Sequence, residues 1–145
     1  MKEKTILLVE DNSGDEALTK RAFTKARIKN ELVVVRDGAA ALDYLLCAGE
    51  YATRDPNKMP QVVLLDLKLP KIDGLEVLKR LRADERTRLL PVIILTSSKE
   101  EEDVVAGYQG GANSYIVKPI NAQNFTDCIQ QLGLYWLVLN ESLPR

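Results

Sequence analysis

The sequence predicts a single α/β domain, built as a doubly wound five-stranded parallel sheet with helices on both faces. Five short apolar runs rich in β-branched residues alternate with segments that carry apolar residues at helical spacing. The runs are nearly continuous rather than alternating, which is typical of parallel strands buried on both faces. At 145 residues and 46% hydrophobic, the chain is long enough to form one domain with its own core.

The elements follow in a regular order. Strands are predicted at residues 5–10, 31–35, 62–66, 92–96 and 114–117. The apolar residues that mark the helices between and after these strands are, in chain order, Leu18, Ala22 and Ala26; Leu42 and Leu46; Leu75, Leu78 and Leu81; and Phe125, Ile129 and Leu132. This alternation of strand and helix predicts five β-α units and no internal domain boundary.

Local signals refine the connections between these elements. Ser98, with Glu101 three residues later, has the pattern of a capping box and predicts a helix from about Glu100. Two Asp-Gly pairs, at residues 37–38 and 73–74, are interpreted as turns. Residues 47–61 are predicted to form a long polar connection between the second helix and the third strand.

Charge and composition exclude several classes of protein. The chain has 20 basic and 21 acidic residues, a net charge of −1 that gives no support for nucleic-acid binding or a polybasic membrane surface. No apolar run approaches the roughly 20 residues of a membrane span. Cys47 and Cys128 are interpreted as reduced thiols, which favours a cytoplasmic protein. Histidine is absent, which excludes Ser-His-Asp catalysis, histidine-ligated zinc and any phosphohistidine on this chain.

Polar residues cluster where the predicted strands end. Glu10 and Asp11 follow the first strand, Asp66 ends the third, Thr96 ends the fourth and Lys118 follows the fifth. In a doubly wound sheet the working site lies beyond the carboxyl ends of the strands, so these side chains are expected to meet. Each alone would be interpreted as a cap, a turn residue or a solvated charge, but ordinary capping does not explain all of them at one edge.

The expected meeting of three carboxylates favours a metal ion. Close carboxylates repel one another and raise one another's pKa. Mg²⁺ prefers oxygen ligands, keeps several waters and completes its shell with phosphate, and with Lys118 it would balance the three acids. A carboxylate beside such a centre can attack phosphorus. The sequence therefore predicts Mg²⁺-dependent phosphoryl chemistry at this edge.

Four sequence blocks, "ILLVEDN", "VVLLDLKLPKIDGLEVL", "VIILTSS" and "SYIVKP", resemble the signature blocks of the receiver domains of two-component response regulators. The resemblance runs from about Thr5 to Leu132 and implies the flavodoxin-like receiver fold. It implies that Asp66 accepts a phosphoryl group from a histidine kinase, with Mg²⁺ bound by Glu10, Asp11, Asp66 and the backbone carbonyl of Lys68. Such a protein is a phosphoacceptor in signalling rather than an enzyme, with its own slow phosphotransfer and autodephosphorylation.

The same resemblance assigns the remaining residues. Thr96 and Lys118 are implied to contact the phosphoryl group, and Tyr115 to be the aromatic residue that turns inward on activation. The Lys118-Pro119 peptide bond is implied to be cis. Ser97 departs from the Ala or Gly that many receivers carry beside the phosphoryl site, and we expect it to change water access and phosphate lifetime. The long 47–61 connection is also not typical of the family.

The carboxyl-terminal segment indicates how such a protein would act. A receiver domain is predicted at residues 3–133, followed by an extension at 134–145 and no output domain. The extension begins with six apolar residues that include Tyr135 and Trp136, and it is similar to the tail of the cyanobacterial phytochrome-associated single-domain response regulators. We expect it to form part of a homodimer interface, although it could instead fold back onto the core of its own chain.

Three other functions are consistent with parts of the pattern. A phosphatase of the haloacid dehalogenase-like group would need a second acid two residues after Asp66, where this chain has Lys68. A flavodoxin-like FMN carrier would need a hydroxyl- and glycine-rich loop after the first strand, and Glu10 and Asp11 would repel the FMN phosphate. A receiver that signals without phosphate is disfavoured by the intact set of acids, Thr96 and Lys118.

Overall fold

A computed structural model describes residues 5–97, 106 and 108–132. Its five strands are β1 (Thr5–Val9), β2 (Glu31–Val35), β3 (Val62–Asp66), β4 (Val92–Thr96) and β5 (Ser114–Val117). They form one parallel sheet in the order β2-β1-β3-β4-β5, which confirms the predicted doubly wound topology. The first strand ends at Val9, one residue earlier than predicted.

Helices cover both faces of this sheet. They are α1 (Ser13–Lys25), α2 (Gly38–Leu46), α3 (Gly74–Ala83) and α4 (Ala122–Gln131), with a short 3₁₀ turn at Gly49–Tyr51. Ala106, Tyr108 and Gln109 are also helical. The predicted capping box at residues 98–101, the start of the helix it caps, and the extension at 134–145 lie outside the described residues. None of the described helices has the length and apolar character needed to cross a bilayer.

The core consists of two apolar layers, one on each side of the sheet. All residues of β1, β3 and β4 are buried. Alternate residues of β1 face opposite layers: Leu7 and Val9 pack with α2 and α3, whereas Ile6 and Leu8 pack with α1 and α4. This burial on both faces is the reason that the strands have nearly continuous apolar runs.

The helix starts correct one interpretation made from the sequence. Asp37 and Asp73, interpreted as turn residues, are the N-caps of α2 and α3, and their side chains accept hydrogen bonds from the backbone N–H groups of Ala40 and Glu76. Aspartate favours both turns and N-caps, because its short side chain satisfies nearby backbone N–H groups in either case. A helix, and not only a turn, therefore begins at the glycine of each Asp-Gly pair.

The apolar face of α1 also differs from the predicted one. Leu18 is 38% exposed, so the Leu18-Ala22-Ala26 spacing does not define the buried face. That face is formed by Glu16, Thr19, Ala22 and Phe23. Because Glu16 and Thr19 are polar, the spacing of apolar residues alone does not identify this face.

Two side chains of the connection at residues 47–61 contact Tyr44 of α2. The Tyr51 ring packs edge-on against the Tyr44 ring, with centroids 5.1 Å apart. Arg54 Nε donates to the backbone carbonyl of Tyr44 at 2.8 Å, and Arg54 Nη1 donates to the carbonyl of Lys58 at 2.7 Å. The guanidinium also lies 4.2 Å from the centre of the Tyr44 ring, a cation-π contact. This long connection therefore has a defined conformation against α2. Cys47, at its start, and Cys128 are free thiols, as expected.

Candidate functional site

The carboxyl ends of four strands place the predicted residues at one edge of the sheet. Asp66 is the last residue of the central strand β3, and Glu10 directly follows its neighbour β1. On the other side, Thr96 ends β4 and its carbonyl accepts the backbone N–H of Lys118 at 2.7 Å. The Lys118-Pro119 peptide bond is cis, as the resemblance implied. Glu10, Asp66, Thr96 and Lys118 therefore lie at one edge, because parallel strands share one carboxyl edge.

Asp66 is nearly buried, with 6% of its surface exposed. One carboxylate oxygen, Oδ1, accepts the backbone N–H of Lys68 at 3.2 Å, and the other, Oδ2, lies 2.9 Å from Lys118 Nζ. A buried carboxylate is costly unless it is paired, and here both oxygens have partners. The side chain of Asp66 is thus oriented by groups on both sides.

Lys118 is the centre of the charge arrangement. Its Nζ lies 2.7 Å from Glu10 Oε1, 2.9 Å from Asp15 Oδ2 and 2.9 Å from Asp66 Oδ2. Burial alone would lower the pKa of Lys118, but its contacts with the carboxylates of Glu10, Asp66 and Asp15 outweigh this effect and raise the pKa above its ordinary value. The side chain is therefore a fixed positive charge at the carboxyl edge.

Glu10 is fully buried beside this charge. Its Oε2 accepts the backbone N–H of Asn12 at 3.3 Å. Burial, together with neighbouring Asp66, raises the pKa of Glu10 to about 7. The contact with Lys118 lowers this pKa, but by a smaller amount. Carboxylates crowd this site, and more positive charge than Lys118 supplies would stabilise their ionised forms.

The donor set fits a divalent metal ion that prefers oxygen. Glu10, Asp11 and Asp66 each offer a carboxylate oxygen, and the three oxygens lie within 4.8 Å of one another. Asp11 is exposed, and it lines an open cleft of about 490 Å³ together with Lys68 and residues of the following loop. An open side of this kind leaves room for the water and phosphate ligands that Mg²⁺ retains. These residues therefore suit Mg²⁺.

Two glycines allow the loop after Asp66 to approach the helices closely. A Cβ at Gly74 would lie 2.2 Å from the carbonyl oxygen of Asp66, and a Cβ at Gly38 would lie 1.9 Å from the carbonyl oxygen of Ile72. The backbone N–H of Gly74 donates to the carbonyl of Leu67 at 2.8 Å. The glycines of the two Asp-Gly pairs are thus required for space, a role that the sequence analysis missed.

Thr96 and Tyr115 occupy different environments. Thr96 is buried, with 3% of its surface exposed, whereas Tyr115 is 38% exposed. The Tyr115 ring packs edge-on against the ring of Tyr108, with centroids 5.7 Å apart. In this structure Tyr115 therefore lies at the surface, on the strand that leads to Lys118. Its inward movement remains a prediction.

Asp15 is a second residue that the sequence analysis missed. It lies in the first turn of α1, four residues after Asp11, and it contacts Lys118 across a separation of 103 residues. Acidic residues are common in the first turn of a helix, where the helix dipole favours them. An acid at position 15 was therefore not singled out from the sequence. Its closeness in sequence to Glu10 and Asp11 is the one signal that could have identified it as a fourth acid of the site.

Comparisons of sequence and fold with known proteins identify one family. The family model described as the response regulator receiver domain matches residues 6–130. The response regulator Rcp1 of Synechocystis sp. PCC 6803 is 38% identical over 134 residues, which cover 92% of this chain and 89% of Rcp1. The crystal structure of its Mn²⁺-bound form aligns with a TM-score of 0.76 at 37% identity, covering 98% of this chain and 99% of that one.

Two other solved structures are similar over almost the whole chain. The bacteriophytochrome response regulator RtBRR aligns with a TM-score of 0.85 at 50% identity, covering 98% of this chain and 85% of that one. The phosphorylated cyanobacterial phytochrome response regulator RcpA aligns with a TM-score of 0.75 at 37% identity, covering 99% of each chain. The chain is therefore similar to these response regulators in both fold and sequence.

Proposed function

The chain belongs to the response regulator receiver domain family, and on that premise we propose that Asp66 is its phosphoacceptor. Members of this family are signalling proteins of two-component systems, and this chain is a phosphorylatable receiver. The donor we propose is a phosphohistidine on a partner histidine kinase. Because these 145 residues contain no histidine, they cannot themselves supply the donor group.

One observation carries the assignment to Asp66. It is the acid at the end of the central strand, and its two carboxylate oxygens are both oriented, one by the Lys68 N–H and the other by Lys118 Nζ. Asp11 is exposed, and Glu10 is fully buried. A nucleophile needs both orientation and access. Asp66 is oriented on both sides, and the two residues that follow it, Leu67 and Lys68, line an open cleft.

The metal in this proposal is Mg²⁺. Glu10, Asp11, Asp66 and the backbone carbonyl of Lys68 would hold it, and when bound it supplies positive charge to the phosphoryl oxygens. The family resemblance supports the Lys68 carbonyl. The cluster of three carboxylates and the Mn²⁺-bound form of the relative Rcp1 support a divalent ion.

The transfer is a displacement at phosphorus. A carboxylate oxygen of Asp66 forms a bond to the phosphorus atom as the bond from phosphorus to the donor imidazole nitrogen breaks, and the electron pair of that bond remains on the nitrogen. Lys118 Nζ, already 2.9 Å from Asp66 Oδ2, donates a hydrogen bond to a phosphoryl oxygen. The hydroxyl of Thr96 donates another.

Mass spectrometry after incubation with acetyl phosphate and Mg²⁺ tests this function. We expect wild-type protein to gain one phosphoryl group in a base-labile adduct on Asp66. Asp66→Asn should not gain it, whereas the matched control Asp127→Asn, at an exposed position of α4, should react like wild type. A phosphoryl group on the Asp66→Asn protein at the normal rate would refute the assignment.

We also propose specific partners. The similarity to phytochrome-associated response regulators favours a phytochrome-like histidine kinase as the donor. The two free thiols, Cys47 and Cys128, favour the cytoplasm as the location. The exposed Tyr108-Tyr115 pair next to the last α/β unit supports a homodimer formed by that unit and residues 134–145.

Light scattering at micromolar concentration tests the dimer. The full chain should run as a dimer, and a chain ending at Gly133 should run as a folded monomer. Measurements with and without acetyl phosphate determine whether association depends on phosphorylation. Monomers in all four samples would leave the extension without a role in assembly.

A further inference from the structure

Three carboxylate oxygens lie within 3 Å of the Lys118 ammonium nitrogen. The partners are Glu10 at 2.7 Å, Asp15 at 2.9 Å and Asp66 at 2.9 Å. The contacts with Asp15 and Asp66 are hydrogen bonds, whereas the contact with Glu10 Oε1 is an ion pair without hydrogen-bond geometry. An ammonium has only three donors, so a phosphoryl oxygen that binds Lys118 must share the ammonium with these carboxylates.

Two of these three partners take part in phosphoryl chemistry under the proposed function. Asp66 becomes an acyl phosphate, and Glu10 belongs to the cluster that suits a metal ion. Asp15 is outside that cluster. During the reaction its carboxylate has no other assigned role, so its contact with Lys118 is the one that phosphorylation and metal binding leave in place.

Asp15 is itself held in a fixed position. Its backbone N–H donates to the Asn12 side chain at 2.9 Å, and its carbonyl accepts the Thr19 hydroxyl at 3.0 Å. It lies in the first turn of α1, where the helix dipole favours a negative charge. Because α1 is anchored by its buried face, Asp15 presents a rigid acceptor to a lysine whose side chain has four rotatable bonds.

We propose that Asp15 is a positioning residue for phosphoryl transfer: it holds the Lys118 ammonium beside Asp66 while the other two partners change. This inference rests on the proposed function of Asp66. A lysine left to find its position loses considerable side-chain entropy each time it binds a phosphoryl oxygen. A retained hydrogen bond to Asp15 removes part of that cost, because the ammonium is already oriented.

A competing role for Asp15 predicts the opposite result. If Asp15 only competed with the phosphoryl group for Lys118, its removal would free a donor and speed phosphorylation. If it contributed only negative charge, removal of the charge would have the same effect whichever residue replaced it. Rates of phosphorylation in Asp15 variants can therefore distinguish the hydrogen-bond role from competition for Lys118 and from an effect of negative charge alone.

The test compares Asp15→Asn with Asp15→Ala. Both variants lack the charge, but only the asparagine retains an oxygen that accepts a hydrogen bond. We expect Asp15→Ala to slow phosphorylation by acetyl phosphate at saturating Mg²⁺ about tenfold, as for the loss of one hydrogen bond to a charged group. Asp15→Asn should stay within about threefold of wild type. Calorimetry should give the two variants equal Mg²⁺ affinity, because Asp15 is not a ligand in this proposal.

Controls separate this inference from the function beneath it. Asp15→Leu, which keeps the branched shape of aspartate, carries no acceptor and favours a helix, provides a second removal if the alanine variant does not fold, and it should react as slowly as alanine is expected to. Equal rates for Asn and Ala (or Asn and Leu), or a faster reaction after removal, would overturn the positioning role while Asp66 remained the acceptor. If wild-type protein acquired no phosphoryl group on Asp66, the proposed function and this inference would both be overturned.

Discussion

Gly74, at the start of α3, lies so close to Asp66 that a Cβ at position 74 would be 2.2 Å from the Asp66 carbonyl oxygen. It would also lie 2.8 Å from the Cα of Leu67. Both neighbours are backbone atoms, which cannot rotate away as a side chain can. The loop that follows the proposed phosphoacceptor therefore keeps its path only if residue 74 has no side chain.

We expect Gly74→Ala to destabilise the protein by about 1–3 kcal/mol, the usual cost of forcing extra volume into a filled space. It should also slow the phosphorylation of Asp66, because the backbone of that residue must move. Urea unfolding and the acetyl phosphate reaction measure the two effects. The control is Gly14→Ala in the first turn of α1, where the closest contact of a Cβ is a side-chain oxygen of Asn12 at 3.2 Å. An equal loss of stability at both positions would contradict the steric argument.

Asp11 is the exposed member of the carboxylate cluster. We expect Asp11→Ala to weaken Mg²⁺ binding at least tenfold and to slow phosphorylation, because a ligand is lost. Without metal, the same change should raise the unfolding free energy by about 0.5 kcal/mol, a small gain because repulsion at an exposed carboxylate is screened. Calorimetry and metal-free urea unfolding test the two parts. Glu85→Ala, at an exposed acid outside the cluster, should change neither quantity, and an unchanged Mg²⁺ affinity in Asp11→Ala would remove Asp11 from the ligand set.

The sheet and the carboxyl edge were predictable from the sequence for a simple physical reason. Strands buried on both faces need continuous apolar runs, so "VVLLD" and "VIILT" are visible without any tertiary information. The carboxyl ends of parallel strands share one edge, so the positions of Glu10, Asp66 and Lys118 followed from the strand order. For the strands and the residues at their carboxyl ends, the local sequence pattern therefore agrees with the tertiary structure.

The missed features depend on how separate elements dock. Asp15 reaches Lys118 only because α1 packs across the sheet at one angle, and no local pattern specifies that angle. The space beside Gly74 is occupied by the backbone of Asp66 and Leu67, which lies close to the start of α3 only in the folded chain. The buried face of α1 includes Glu16, whose burial is tolerated because two cations pair with it. In each case a contact between distant residues determines the outcome.

We expect Thr96 and Tyr115 to provide a route from the phosphoryl group to the surface. Thr96 is buried at the end of β4, and Tyr115 is at the surface beside Tyr108. We expect Thr96 to move toward the phosphoryl oxygens and the Tyr115 ring to fill the space it leaves, a shift between two populations. In Thr96→Ala, Asp66 should still be phosphorylated, but the NMR resonances of Tyr115 should no longer shift on phosphorylation. Thr24→Ala, at an exposed position of α1, is the control. A full Tyr115 response in Thr96→Ala would exclude this route.

Glu16 forms two ion pairs, one with Lys20 within α1 and one with Arg36, the residue that directly follows β2. Its Oε2 lies 2.8 Å from Lys20 Nζ, its Oε1 pairs with Arg36, and its side chain is only 10% exposed. The hydrogen bonds with Lys20 and then Arg36 lower the pKa of Glu16 below its ordinary value of 4.5. A carboxyl group with a lowered folded-state pKa stabilises the fold fully above its unfolded-state pKa, and this stabilisation is lost as the pH falls through the folded-state value.

Glu16→Gln should therefore reduce the unfolding free energy by about 1 kcal/mol at pH 7, the upper range for pairs whose cations are exposed. The difference from wild type should persist at pH 6 and shrink as the pH falls from 4.5 toward 3, because protonation then removes the same charge from the wild type. Urea unfolding of both proteins across this range measures the difference directly. Glu85→Gln, at an exposed position in the turn after α3, should stay close to wild type throughout. A difference that grew on acidification would mean that Glu16 stabilises the fold in its protonated form, contrary to the ion pairs with Lys20 and Arg36.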